Sequence, residues 1–359
     1  MHWGHASSAD GLAWTDHPIA LEPDELGTIF SGSVVHDLDG VAGAGAGAWV
    51  ACFTHHAGAV QHQSIAFSHD DGITWTKHRG NPVVEGDVPD CRDPKVWRGA
   101  DGRWHMVITL ADHLRFLVAD DLVHWTVTGE FRADLGAEAG NWECPDVVTL
   151  PDGRELLLVS LSTGGPARNS GTIVVPGHFD GRTFAQEGEA VPLDHGPDCY
   201  AAQSFWNAGS LHPVAMAWMN SWAYANEVPS RGTRGLLSLP RRLSWRDGDV
   251  LRSVPAVRPS GTDRRGAHWI EHDGDVTIVV SGAGAEVRAG VRDGVAFVER
   301  EGGSFAGHDG WFGAAIPADG DHVVVVDHGS VEVFAAGGAA TVTAQVFCGI
   351  DPVVRVHRA

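Results

Sequence analysis

One short element returns along the chain: an Asp, a turn, and then an aromatic residue. It reads Asp10-Gly11-Leu12-Ala13-Trp14, Asp71-Gly72-Ile73-Thr74-Trp75, Asp121-Leu122-Val123-His124-Trp125 and Asp180-Gly181-Arg182-Thr183-Phe184. The interval is roughly fifty to sixty residues, near the period of propeller blades and other repeat arrays. A looser fifth member, Leu243-Ser244-Trp245, follows one period later. Asp and Gly suit the tight turn at the outer edge of a four-stranded blade, where the aromatic fills the gap against the next blade. Between these turns lie short runs rich in Val, Ile, Phe and Trp, such as Ala48 to Thr54, Trp104 to Leu110, Leu156 to Leu161 and Val214 to Met219. Runs of this length bounded by Gly, Asp and Asn predict strands, and no long amphipathic helical stretch interrupts them. An all-β chain is expected, with residues 1–252 forming a five-bladed β-propeller.

The repeat stops near Arg252. Val254-Pro255-Ala256-Val257-Arg258-Pro259-Ser260-Gly261 reads as part of a linker over residues 253–261. Residues 262–359 return to strand-like alternation between Gly-rich turns, as in Asp321 to Asp327 and Ser330 to Phe334. A C-terminal β-sandwich that packs on the propeller fits this pattern.

Charge narrows the range of partners. The chain has 46 Asp and Glu against 25 Lys and Arg, a formal net charge of -21. Such a surface repels phosphate backbones and anionic headgroups, so neither nucleic acid nor a membrane is expected as a partner. Fourteen Trp residues beside two Tyr suit a carbohydrate-binding surface, although most of them serve a β core. Five cysteines, Cys52, Cys91, Cys144, Cys199 and Cys348, are widely spaced with no CxxC pattern, which reads as reduced, non-metal thiols. The densest histidine cluster, His55, His56 and His62 near Cys52, completes no zinc-ligand spacing and reads as a polar strand end. No metal and no cofactor are expected. Met1-His2-Trp3-Gly4-His5 lacks a basic and apolar leader, so the chain as written is expected in the cytoplasm, with secretion left open if its N-terminus is truncated.

Hydrolysis of a glycosidic bond with retention needs two carboxyl groups about 5 Å apart. Two acids sit in surroundings suited to such work. Glu143, in Asn141-Trp142-Glu143-Cys144-Pro145-Asp146, has Trp and Cys neighbours that would desolvate its carboxyl and raise its pKa, as a general acid requires. Asp93, in Cys91-Arg92-Asp93-Pro94, has an Arg beside it that would keep the carboxylate ionised. Taken singly, the first reads equally as a solvent-facing strand end and the second as a turn salt bridge.

Both lie within a longer pattern that resembles glycoside hydrolase family 32, the invertases, levanases and related fructan hydrolases. The resemblance runs through Trp3-Gly4-His5-Ala6, Pro18-Ile19-Ala20-Leu21, Phe30-Ser31-Gly32-Ser33, Arg92-Asp93-Pro94-Lys95-Val96 and Trp142-Glu143-Cys144-Pro145-Asp146. It continues through Asp198-Cys199-Tyr200-Ala201-Ala202-Gln203, Trp218-Met219-Asn220-Ser221-Trp222, Leu237-Ser238-Leu239-Pro240-Arg241 and Ser330-Val331-Glu332-Val333-Phe334. It implies that Glu143 is the acid/base and that Asp93 stabilises the transition state. It also implies that Arg92 orients that carboxylate, that Phe30, Ser31, Asp198 and Trp222 line the sugar pocket, and that the substrate is sucrose or a fructan. The family's nucleophile lies on a Trp-Met-Asn-Asp-Pro-Asn-Gly segment upstream of the Trp-Gly-His-Ala stretch, here residues 3–6. The nucleophile is therefore expected to be absent from this chain, Met1 being an internal methionine of a longer enzyme rather than the start of a degenerate relative. Asp10 and Asp16 read as surface turn carboxylates, not as substitutes.

Three other readings compete. Ser68-His69-Asp70-Asp71-Gly72-Ile73-Thr74-Trp75 matches the sialidase box, but a sialidase needs a Tyr nucleophile and an arginine cluster, and only Tyr200 and Tyr224 are present. An arabinan-type five-bladed hydrolase would invert rather than retain. A non-catalytic sugar-binding propeller would bind fructans without releasing fructose.

Overall fold

Strands such as Trp104–Leu110 and Glu155–Leu161 are apolar along almost their whole length, and they are buried on both faces. That pattern belongs to sheets stacked between other sheets. The computed structural model describes all residues other than 59, 136–139, 207, 230–232, 247–249, 259–266, 318–319, 350–351 and 359. β1 (Trp3–Ser7) pairs with β2 (Thr15–Leu21). The next sheet takes β3 (Thr28–Asp37), β4 (Ala48–Ala57), β5 (Val60–Ser68) and β6 (Thr76–Lys77) in that order. β7 (Cys91–Arg98), β8 (Trp104–Leu110), β9 (Leu114–Ala119) and β10 (Thr126–Phe131) form another. β11 (Trp142–Thr149), β12 (Glu155–Leu161), β13 (Gly171–Phe179) and β14 (Phe184–Gln186) form a third, with β15 (Val191–Pro192) beside β13. The last contains β16 (Tyr200–Ser204), β17 (Val214–Met219), β18 (Leu236–Leu237), β19 (Arg241–Arg246) and β20 (Val250–Pro255), with β18 set beside β17. The innermost strands β3, β7, β11 and β16 neighbour one another in sequence order.

The Asp-turn-aromatic element falls between the third and fourth strands, β5 and β6, β9 and β10, β13 and β14. The same element joins β1 to β2, so these two strands hold the third and fourth positions of the first of five propeller blades. The carboxylates cap the turns as Asx motifs do. Asp10, Asp121 and Asp180 each accept from the backbone N–H groups two and three residues on. In the second blade the capping residue is Asp70, not Asp71, because the turn there holds one more residue and Asp71 takes a left-handed φ of 58°. The Thr74 hydroxyl, then its N–H, hold the Asp70 carboxyl down at about 2. The aromatic plug is uneven: Phe184 is buried, Trp75 and Trp125 are half-buried, and Trp14 is 37% exposed. Trp245 stands on β19 itself, before residues 247–249, which lie outside the described residues.

Apolar clusters fill the spaces between successive blades. Val35, Ile65, Met106 and Leu117 join the second and third blades, Phe116, Trp142, Leu157 and Phe184 the third and fourth, and Leu158, Ala202, Ala217 and Trp245 the fourth and fifth.

The remainder is a β-sandwich. β21 (His268–His272), β22 (Val276–Gly282), β23 (Ala285–Arg292), β24 (Val295–Gly302), β25 (Gly310–Ala315), β26 (His322–Asp327), β27 (Ser330–Ala335), β28 (Ala340–Gln345) and β29 (Val353–Arg358) form two sheets, ordered β21-β26-β27-β28 and β25-β24-β23-β22-β29. Val and Ala from their inner faces make a common core. β20 runs through Pro255 in the last blade, and residues 259–261 of the expected linker lie outside the described residues.

Buried ion pairs join the two domains. The Arg241 guanidinium donates to Asp194 at 2.8 Å and to Glu332 of the sandwich at 2.6 Å. Glu332 also accepts from the Leu239 N–H. Among the described residues no helix is long and apolar enough to cross a membrane.

Candidate active site

Each inner strand of the second to fifth blades carries the same irregularity. The pairing of β3 with β4 slips between Ile29 and Gly32, that of β7 with β8 between Arg92 and Lys95, that of β11 with β12 between Glu143 and Asp146, and that of β16 with β17 between Tyr200 and Gln203. In every case two residues oppose one, which is a β-bulge. The bulged pairs are Phe30-Ser31, Asp93-Pro94, Cys144-Pro145 and Ala201-Ala202. Pro is tolerated in an inner strand at such a place because the bulge leaves its missing N–H without a ladder partner to serve. Asp93, Cys144 and Ala201 take φ of 59°, 47° and 52°, a left-handed conformation that costs non-glycine residues about 1–3 kcal/mol each and is characteristic of functional sites. Neighbouring blades hold these bulges in place: Thr54 Oγ1 accepts from the Asp93 N–H, and Gln203 Nε2 donates to the Cys144 carbonyl.

The bulges bring the two candidate acids under one guanidinium. Arg92 Nη2 donates to Glu143 Oε1 at 2.8 Å, and Arg92 Nε lies 3.8 Å from Asp93 Oδ2. The same Asp93 oxygen accepts from the Cys144 N–H at 2.9 Å. Asp93 is buried, whereas the Glu143 side chain is 19% exposed and so reaches solvent. Burial pushes the Glu143 carboxyl above its ordinary value, the Asp93 charge pushes the same way, and Arg92 opposes both. Burial also raises Asp93, against the opposing pull of Arg92 and the Cys144 N–H. Arg92 acts on Asp93 in the direction expected from the sequence, favouring the carboxylate, while desolvation acts against it.

The expected pocket residues divide. Ser31 faces the Cys144 thiol, and Trp222 faces the Glu143 carboxyl and favours its ionised form while its ring stays 54% exposed. Phe30 stacks on His56 with ring centroids 4.3 Å apart and 5° between planes. Trp222 thus lies at Glu143 and Ser31 at the neighbouring Cys144, while Phe30 shares the β3 bulge with Ser31. Asp198 stands apart from them. It is fully buried at the joint with the sandwich, where it accepts from Tyr224 Oη at 2.7 Å, Arg300 Nη1 at 3.0 Å and the Gln345 N–H at 2.9 Å. Its lone pairs are committed to protein donors, so its expected sugar-lining role is corrected to a domain contact.

The structure adds residues that sequence reasoning missed. Gln61 and Asp90 both reach Arg92, and Thr54 fixes the Asp93 backbone. Asp90 stands two positions before Arg92 and could have been flagged by that proximity, whereas Gln61 and Thr54 come from another blade and leave no local signal. The histidine cluster is dispersed: His55 is buried between Asp24 and Ser64, His56 stacks on Phe30, and His62 Nδ1 accepts from the Gly86 N–H. Among the described residues no group of three or more His, Cys, Asp or Glu could hold a metal ion.

Residues 1–255 match the glycosyl hydrolases family 32 N-terminal domain. A levanase of Bacillus subtilis is 40% identical over 259 residues, covering 68% of this chain and 38% of the relative. An invertase of Debaryomyces hansenii is 33% identical over 259 residues, covering 67% of this chain and 48% of the relative. The chain thus spans less than half the length of these two relatives. Among solved structures, the exo-inulinase of Aspergillus awamori superposes with a TM-score of 0.82 at 27% identity, covering 99% of this chain and 86% of that one. The β-fructofuranosidase of Schwanniomyces occidentalis complexed with fructosyl-erythritol, at 21% identity and a TM-score of 0.85, shares the fold. With this match over most of the chain, and with the bulged inner strands presenting Arg92, Asp93 and Glu143 together, the chain belongs to glycosyl hydrolase family 32.

Proposed function

We propose that this chain is the catalytic part of a retaining glycoside hydrolase that releases fructose from sucrose or β-fructans. The observation that carries the reading is the single Arg92 guanidinium set against a buried Asp93 and a solvent-reaching Glu143. Glu143, with its carboxyl pushed above its ordinary value by burial, donates a proton to the leaving-group oxygen, and as a carboxylate it then activates water. Asp93 accepts hydrogen bonds from fructosyl hydroxyls as positive charge develops on the ring. Phe30, Ser31 and Trp222 bound the space above them, offering aromatic faces to C–H surfaces and polar tips to hydroxyls.

Retention requires a further carboxylate as nucleophile. In this reading it belongs to a segment of the Trp-Met-Asn-Asp-Pro-Asn-Gly type. The relatives named levanase, invertase and exo-inulinase support a fructosyl donor as substrate. Five buried free thiols fit the cytoplasmic reading.

The test is incubation with sucrose, levan and inulin, with fructose release followed by chromatography for the 359-residue chain and for the same chain preceded by such a segment. Release that depends on Glu143 supports the proposal. Binding of all three substrates without release from either protein would overturn it in favour of a sugar-binding propeller.

A further inference from the structure

Asp90 sits immediately before β7 with a left-handed φ of 59°, and its side chain is 36% exposed at the edge of the site. Its Oδ1 accepts from Arg92 Nη1, while Nη2 of the same guanidinium donates to Glu143. The two arms of one planar cation are thus divided between two carboxylates, with the fork geometry that arginine alone provides. Gln61 Oε1 lies 3.5 Å from the arm that Asp90 occupies, and Asp93 lies beside Nε. The charged or titratable groups facing Glu143 are Arg92 and Asp93 from β7 and the neighbouring Cys144 thiol from β11, with Trp222 as a neutral group, and those facing Arg92 are Asp90, Asp93, Glu143 and the Cys144 thiol.

We propose that Asp90 is a positioning residue for the acid/base: it takes one arm of the Arg92 guanidinium and leaves Glu143 only the other. This rests on the reading of Glu143 as the acid/base. Two effects follow, and they have the same sign. Asp90 neutralises part of the Arg92 charge that would otherwise stabilise the Glu143 carboxylate. It also fixes the guanidinium so that it cannot swing fully onto Glu143. Both keep the carboxyl protonated to higher pH.

The experiment is a ¹³C NMR titration of the Glu143 side-chain carboxyl, assigned by its loss in Glu143→Gln, in the wild-type chain, Asp90→Asn and Asp90→Gly. Asn and Gly both tolerate the left-handed backbone that Asp90 adopts, so each removes the charge without forcing the turn. Deleting one partly exposed unit charge on the far arm of the same guanidinium is expected to lower the Glu143 midpoint by about half a pH unit, a roughly threefold loss of the protonated form above the midpoint. The alkaline limb of the pH–rate profile should move down by the same amount. A midpoint unchanged in both variants, or raised in either, overturns the proposal. A shift in one variant alone traces to the backbone and overturns it as well. The titration needs no turnover, so it is separable from the catalytic reading, which fails on its own if Glu143→Gln keeps wild-type hydrolysis.

Discussion

Replacing Arg241 by Met should cost this protein about 3–5 kcal/mol, far more than an average substitution. Arg241 is 2% exposed and donates to Asp194 at 2.8 Å and to Glu332 at 2.6 Å, and these partners are 0% and 4% exposed. Its guanidinium also lies 5.0 Å from the centre of the Phe334 ring. Methionine fills much of the same volume but strands two carboxylates in a dry joint, and the desolvation of a charge left without its partner dominates the loss. Asp194 keeps donors of its own in the Gly196 and Thr343 N–H groups and the Thr343 hydroxyl, whereas among the described residues Glu332 retains only the Leu239 N–H, so Glu332 should carry the larger share. Urea unfolding followed by tryptophan fluorescence measures the cost. The double variant Arg241→Met/Glu332→Gln should recover about 1–2 kcal/mol of it, because one stranded charge goes with the second change. A loss below about 1 kcal/mol in the single variant, or no recovery in the double one, would refute the claim that this buried ionic joint holds the sandwich to the propeller.

Two further outcomes follow from the site. Trp222→Phe removes an indole N–H that favours the ionised Glu143, so the Glu143 pKa should rise and the alkaline limb of kcat/KM should move to higher pH; a move to lower pH would contradict the assignment. Asp198→Asn should lower the urea midpoint, because Arg300 is left buried without an anion, while the KM for fructosides stays at the wild-type value; the reverse pattern would return Asp198 to the sugar pocket.

Much of the fold was legible because it is periodic. Strand segments such as Trp104–Leu110 and Val214–Met219 sit where the apolar runs and turn residues place them, since local alternation and turn chemistry act within a few residues. Arg92, Asp93 and Glu143 were legible as candidates for a different reason: bulges on adjacent inner strands bring together residues that lie in short, distinctive motifs. What the sequence withheld depends on contacts between distant segments. Whether Asp198 faces a sugar or a sandwich arginine is decided by Arg300, 102 positions away, and no local pattern carries that information. The same holds for the raised Asp93, where burial by other blades outweighs the adjacent arginine that the motif displays. Leu237 to Arg241 and Ser330 to Phe334 stood out as motifs without an evident task, and the Arg241–Glu332 pair shows that part of theirs is to dock the two domains.

The most direct test of the account compares kcat/KM of wild type and Glu143→Gln on sucrose with the same ratio on a fructoside whose leaving group needs no proton, such as a fructosyl fluoride, using the chain that carries the nucleophile segment. A general acid contributes about 10²–10⁴-fold only where the departing oxygen must be protonated. The account predicts a loss of that order on sucrose and a far smaller loss on the fluoride, whereas equal losses on both, or none on either, would contradict the assignment of Glu143 as the acid/base.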